Sequence, residues 1–309
     1  MNSIHHVTAM SGKASRNLDF YTRVLGMRFV KKTVNFDDPG TYHLYYGDEA
    51  GHPGTILTYF PWENSAPGVR GVGEAEETWL RIPQASLGFW FHRLIEQNVV
   101  HEAISEQFGR KLIRFQDPDG MKFALVATPE AELEEAWTVP GIDEANTIRG
   151  VDSVVLRLQE AAPTSRVLTE IFGFQSVASE QGLDRFEIPG YTGPGGAMIL
   201  HATGDSAKGR LGQGSVHHVA FRAKDDAEQA MLGDRLEREL GIHSTPQRDR
   251  DYFRSIYFHE PGGVLFEIAT DEPGFAVDEP ADQLGTSLKL PKQLEPRREA
   301  LEKVLPSLA

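Results

Sequence analysis

Along this chain, short β-branched runs give way to apolar positions spaced by three and four, and these give way to alternating segments. The change of period happens four times, which marks an internal repeat. The first segment opens with Ile4-His5-His6-Val7-Thr8 as a strand. A helix follows from about Ser15 to Leu25, with Leu18, Tyr21, Val24 and Leu25 on one face. Gly26 stands where a left-handed helix stop belongs. The segment closes on the strand-like run from Thr55 to Tyr59, so its elements read β-α-β-β-β.

The third segment starts at Val151-Asp152-Ser153-Val154 and ends on Pro194-Gly195-Gly196 followed by the run to Thr203. His6 to Gly26 and Ser153 to Gly173 each span 20 residues, so the two segments start in one register. The fourth runs from Val216-His217-His218-Val219 to Pro261-Gly262-Gly263 and the run Val264 to Thr270, matching the third at both Pro-Gly-Gly and Ala-Thr. The second, from Thr78-Trp79-Leu80 to Gly120 and the run ending at Val126, is the most diverged. The expected fold class is α+β, four tandem modules paired into two domains of curved mixed sheets. Residues 1–135 would carry modules one and two, residues 146–275 modules three and four. The remaining 276–309 form an extension with a helix from about Glu295 to Val304.

Composition narrows the function. With 309 residues and 40% hydrophobic content, the chain has material for two substantial cores. The formal net charge of −14 repels nucleic acid and anionic membrane surfaces. No stretch approaches the ~20 apolar residues of a membrane span, and no signal-like segment opens the chain. A cytoplasmic protein acting on a small molecule is expected, and a homo-oligomer is compatible with this composition. There is no cysteine, so thiolate metal sites, iron–sulfur clusters and cysteine nucleophiles are excluded. Any metal must sit on nitrogen and oxygen.

The repeat also shows which modules kept metal-binding side chains. Against His6 and His218, module three has Ser153 and module two an apolar strand residue. Against Glu267, modules one, two and three have Thr58, Ala124 and Leu200. His6, His218 and Glu267 therefore compose one site, shared between modules one and four. Two imidazoles and one carboxylate leave three positions of an octahedral ion open, the arrangement of non-haem Fe(II) oxygenases. Two His doublets in repeat register, with an acid inside an apolar strand, are not explained by packing, because a buried charge needs a partner.

Four such modules resemble the vicinal oxygen chelate superfamily, which includes glyoxalases, bleomycin resistance proteins and extradiol dioxygenases. More narrowly, Ile4-His5-His6-Val7-Thr8, Val216-His217-His218-Val219-Ala220-Phe221 and Gly262-Gly263-Val264-Leu265-Phe266-Glu267 resemble ring-cleaving dioxygenases of the hydroquinone 1,2-dioxygenase group. The resemblance implies Fe(II), with Mn(II) as the alternative occupant, and a small aromatic diol and O2 as reactants. It also implies a role for a Tyr ten residues before the carboxylate and an Arg seven before that Tyr, here Tyr257 and Arg250. Thr8, two residues beyond His6, faces the metal side by strand alternation. His5 and His217 precede the ligands; alternation turns them away, whereas the family places such a His near substrate, so both stand as acid–base candidates.

Three other readings stay open. A catechol dioxygenase would use the same triad. A glyoxalase-like isomerase or lyase would need a fourth ligand where Thr58 stands, and a non-catalytic aromatic binder would not need open metal positions. His43, His52, His92, His101, His201, His243 and His259 lack partners in other modules and read as structural or surface residues. The Tyr191 to Gly196 stretch has no Lys-Ser/Thr and no helix after it, so it reads as a hairpin turn and not as a phosphate loop. The C-terminal extension is expected across the mouth of the site, with a dimer contact as the other reading.

Overall fold

The structure, a computed structural model, describes residues 1–204 and 206–308. Module one runs through β1 (Ile4–Ser11), α1 (Ala14–Asp19), β2 (Arg28–Val34), β3 (Tyr42–Gly47) and β4 (Ile56–Pro61). Module two comprises β5 (Glu74–Pro83), α2 (Leu87–Glu96), β6 (Ser105–Gln107), β7 (Arg110–Gln116) and β8 (Lys122–Thr128). Module three comprises β9 (Gly150–Leu158), α3 (Ala162–Arg166), β10 (Gln175–Glu180), β11 (Leu183–Glu187) and β12 (Ala197–Ala202). Module four comprises β13 (Ser215–Ala223), α4 (Asp226–Leu240), β14 (Arg248–Asp249), β15 (Arg254–His259) and β16 (Leu265–Thr270). All four units have the β-α-β-β-β order that their periodicity predicts.

The helix predicted over Ser15 to Leu25 widens halfway. After Asp19 the bonds become i→i+5, as in Leu25 N–H to Phe20 O at 3.0 Å, and module three repeats this from Phe172 to Val167. Gly26 ends the turn at φ +71°; a Cβ there would meet Ile142 Cδ1 at 2.5 Å, so the position demands glycine twice over.

The strands form two eight-stranded sheets, ordered β14-β15-β16-β13-β1-β4-β3-β2 and β10-β11-β12-β9-β5-β8-β7-β6. Each sheet crosses the expected division between residues 1–135 and 146–275: module one joins module four through β1 and β13, and module two joins module three through β5 and β9. The outer faces of both sheets pack under the helices in one apolar core, with Tyr21, Trp90, Leu168 and Leu232 among the helical contributors. That leaves the two inner faces to be filled or used. Gly195 (φ +77°) stitches the sheets together: it accepts from Ile4 N–H and donates to Val151 O, and a Cβ would lie 2.6 Å from Ile4 O. The Tyr191 to Gly196 stretch is thus a turn, serving as a splice.

The extension returns to module one. Phe275 and Leu284 fill one end of the first sheet's cup against Val30, Tyr45, Ile56 and Phe253. Lys31, 0% exposed, pairs with Glu279 at 2.8 Å and Asp278 at 2.6 Å. Helix α5 (Arg298–Val304) packs Leu301 on Val34. The extension therefore closes one end of the cup and leaves the other open. No helix among the described residues is long and apolar enough to cross a membrane.

Candidate metal centre

β1 and β13 lie antiparallel at the middle of the first sheet, with Thr8 opposite His218 and His6 opposite Ala220. On the flanking strands, Thr8 pairs with Thr58 of β4 and Ala220 with Glu267 of β16. This register relates module one to module four by an approximate twofold: His6 to His218, and Thr58 to Glu267. The two imidazoles and the carboxylate converge as the sequence predicts. His6 Nε2 lies 3.3 Å from His218 Nε2 and 3.6 Å from Glu267 Oε2, and His218 Nε2 lies 2.8 Å from the same oxygen. Donors bound at about 2.0–2.2 Å to one ion at right angles are about 3 Å apart, so these separations suit a shared metal.

The residues present fit such an ion on a second ground. Glu267 is 0% exposed, and its Oε2 receives no hydrogen bond of proper geometry. Burial opposes its ionisation, but the facing imidazoles hold the carboxyl well below its usual range. Burial also pushes the His218 imidazole down, toward its neutral, metal-binding form. A buried carboxylate facing two imidazole nitrogens, with an oxygen left bare, calls for a cation. Its other oxygen accepts from Ser255 Oγ, which fixes the carboxylate plane.

The doublets behave differently from either sequence expectation. The β1/β13 ladder skips one residue between Ile4 and His6 and another between Val216 and His218, so His5 and His217 sit in bulges. Neither simply turns away. His5 Nδ1 lies 2.9 Å from His6 Nδ1, and His217 Nδ1 lies 2.8 Å from His218 Nδ1, leaving both ligand Nε2 atoms for a metal. Burial and the neighbouring imidazole depress both, His217 to about 3, so each is a neutral acceptor for its ligand's Nδ1–H. Only His217 also lines the cavity; His5 is buried behind the ligand, against Phe253.

A cavity of about 360 Å³ opens above the triad, walled by Phe60, Trp62, Phe253, Tyr257, Arg250 and His217. Arg250 Nε donates to Tyr257 Oη at 3.2 Å, and its Nη2 reaches Asp37 Oδ2 at 3.1 Å. Arg250 is therefore part of the cavity wall. Burial raises the Tyr257 hydroxyl above its ordinary range, with Glu267 adding to the shift and Arg250 opposing it. Thr8 faces the ligand side as alternation predicts; it is 0% exposed, bonded to Thr58 Oγ1 at 2.9 Å, and outside the cavity wall.

Sequence reasoning missed His43, which it read as structural or surface. His43 lines the cavity, with Nε2 2.7 Å from Thr58 Oγ1 and Nδ1 2.8 Å from Tyr45 Oη. Tyr45 lies opposite Thr58 as Tyr257 lies opposite Glu267, which places His43 where module four has Ser255; chain spacing hides this, with 13 residues from Tyr45 to Thr58 and ten from Tyr257 to Glu267. The same ladders correct two alignments. The second-sheet counterparts are Glu77 for the module-two histidine position and Ile199, one residue before Leu200, for the module-three acid position. The repeat was aligned by chain ends, and bulges move the register.

The chain matches the model of the Glyoxalase/Bleomycin resistance protein/Dioxygenase superfamily over residues 3–125 and 150–268. It is 43% identical to MhqE and 42% identical to MhqO of Bacillus subtilis, both provisionally named ring-cleaving dioxygenases, over 99% and 98% of this chain and 98% and 95% of theirs. It is 32% identical to the chlorohydroquinone/hydroquinone 1,2-dioxygenase of Sphingobium indicum, over 96% of this chain and 93% of that one. A crystal structure of a Bacillus subtilis protein with the provisional name dioxygenase superposes at TM-score 0.93 and 41% identity, covering 99% of this chain and 96% of that one. Glyoxalase I from Zea mays, at TM-score 0.64 and 15% identity, covers 88% and 93% and shares the fold. Sequence, fold and the shared register of four modules lead to one assignment: the protein belongs to the glyoxalase/bleomycin resistance protein/dioxygenase superfamily.

Proposed function

We propose that this protein opens the ring of a hydroquinone with O2, using Fe(II) held by His6, His218 and Glu267. The observation that carries the reading is the triad itself: three convergent donors, one bare carboxylate oxygen and, among the described residues, no fourth ligand, beneath a cavity sized for one aromatic ring. The names carried by MhqE, MhqO and the Sphingobium enzyme support ring cleavage and a hydroquinone. Bound there, Fe(II) would supply electron transfer between an aromatic diol and O2, with Mn(II) the alternative ion.

The protein's own groups divide the remaining work. His5 and His217 fix the tautomers of the ligand imidazoles. Phe60, Trp62 and Phe253 hold the ring and exclude water. A hydroquinone has its hydroxyls at opposite ends, so one faces the triad while the other must meet protein. Tyr257, Arg250 and His217 are polar groups of the cavity wall that would hydrogen-bond it and stabilise oxyanionic character there. Thr58 in place of a second carboxylate opposes an isomerase needing four protein ligands.

The test is anaerobic loading with Fe(II), followed by O2 uptake on a panel of hydroquinones and catechols. Uptake with 1,4-diols in clear preference to 1,2-diols is expected. Uptake with catechol and none with any hydroquinone would move the assignment to a catechol dioxygenase.

A further inference from the structure

The twofold relation between modules one and four is broken at one place with chemical consequences. In module four, Glu267 is oriented by Ser255 from the neighbouring strand. In module one the acid is replaced by Thr58, and the orienting position holds His43. His43 bonds to Thr58 at 2.7 Å and to Tyr45 at 2.8 Å, is packed between the rings of Tyr45 and Phe60 at 4.1 and 4.3 Å, and borders the cavity. Thr58 in turn meets Thr8 at 2.9 Å. Thr58, fully buried, therefore occupies the place that a fourth protein ligand would take, with the buried Thr8 hydroxyl bonded to it.

We propose that His43, braced by Tyr45, is a positioning residue that orients the Thr58–Thr8 hydroxyl pair at the place where the twofold counterpart of Glu267 would stand. Burial keeps the Tyr45 hydroxyl protonated, and the acceptor within its reach is His43 Nδ1. The imidazole proton then lies on Nε2 and is donated to Thr58 Oγ1; Thr58 donates to Thr8. Three hydrogen bonds consume three of the four protons in this chain. The fourth belongs to Thr8, two residues from His6 on its own strand and opposite His218 on the next. His43 thus leaves the Thr8 hydroxyl as a neutral donor on the side of the sheet that carries His6 and His218, without adding charge or a ligand.

This inference rests on the proposed dioxygenase reading, and its experiment separates the two. The wild-type protein, His43→Ala, His43→Gln and Thr58→Val are loaded with metal and compared. Titration with Mn(II) alone should change in His43→Ala by less than the roughly tenfold that losing a ligand's own hydrogen-bond partner costs. With Fe(II) and nitric oxide as a probe shaped like dioxygen, the electron paramagnetic resonance signal should shift in His43→Ala and Thr58→Val and return toward wild type in His43→Gln, which retains an N–H donor. On a hydroquinone, His43→Ala should lose about tenfold or more in kcat with KM little changed, the cost of a misoriented group. A nitrosyl signal unmoved by both His43→Ala and Thr58→Val overturns the inference. So does an Mn(II) affinity that falls in step with kcat, or a His43→Gln no better than His43→Ala. Absence of O2 uptake by the wild-type protein would instead overturn the dioxygenase reading, while the nitrosyl comparison still decides the role of His43.

Discussion

The two sheets share one ladder plan and put opposite things into it. In the first sheet the inner face carries His6, His218, Glu267 and Thr58 around a cavity. In the second, the equivalent positions hold Ser153, Glu77, Ala124 and Ile199, and the space is filled by Trp79, Leu112, Val126 and Val155. Glu77 is the one carboxylate at a ligand-equivalent position there, and it is spent inside the protein: Trp79 Nε1 donates to it at 2.7 Å and Arg114 pairs with it at 3.3 Å. Even the bulges recur, at His5 and His217 in one sheet and at Asp152 and Glu76 in the other. Where the first sheet's bulges brace His6 and His218, the second's bury acids under cations, as with Asp152 between Arg110 and Arg185. A duplicated fold can therefore carry three convergent metal-binding side chains in one copy and a packed indole with paired acids in the other.

Substitutions that hit one sheet should leave the other's property alone. The largest effect is expected for Glu267→Gln, which removes the only anionic ligand: tight Fe(II) binding and turnover should vanish while the thermal melt persists. Near-normal O2 uptake would exclude Glu267 as a ligand.

Trp79→Ala in the second sheet should do the converse. Emptying its cup should cost about 3–5 kcal/mol of unfolding free energy, as for other buried aromatics. Denaturant melts would measure this, and metal content per folded protein should stay at the wild-type level. A loss of metal with a wild-type midpoint would break the division between the sheets.

Tyr257→Phe tests the open cup from within. On the order of 10²-fold of turnover should be lost, the low end for one acid–base group, with Mn(II) affinity retained. A silent variant would leave His217 as the better candidate for handling the substrate's far hydroxyl.

The smallest effect is a pH dependence confined to the filled sheet. Burial disfavours the charged Asp152, but Arg110 and Arg185 override it and hold the carboxyl well below its unfolded value of 3.8. The folded state therefore binds this proton more weakly, so its contribution is complete above pH 3.8 and is lost as the pH falls further. Melts between pH 5 and pH 3 should fall more steeply for wild type than for Asp152→Asn, a range set by the usual carboxylate titration. Parallel curves would show that the pair contributes no linkage.

Much of this was legible in the chain itself. The four changes of period, the Gly26 stop, the paired His doublets and an acid inside an apolar strand are local features, and each reports side-chain identity at a fixed spacing. They were enough to single out the three side chains that converge and the module order. What they could not supply was anything set by pairing across more than 200 residues. That module one would share a sheet with module four and not with module two is a choice between compatible edges, made by packing of the whole. The bulges at His5 and His217 exist only in the ladder between β1 and β13, so strict alternation could not place those side chains. His43 looked idle for the same reason, since its partners lie on other strands. Sequence determined which groups were present and at what period; the non-local register decided which of them meet, because hydrogen-bonded strands fix neighbours that the chain order does not.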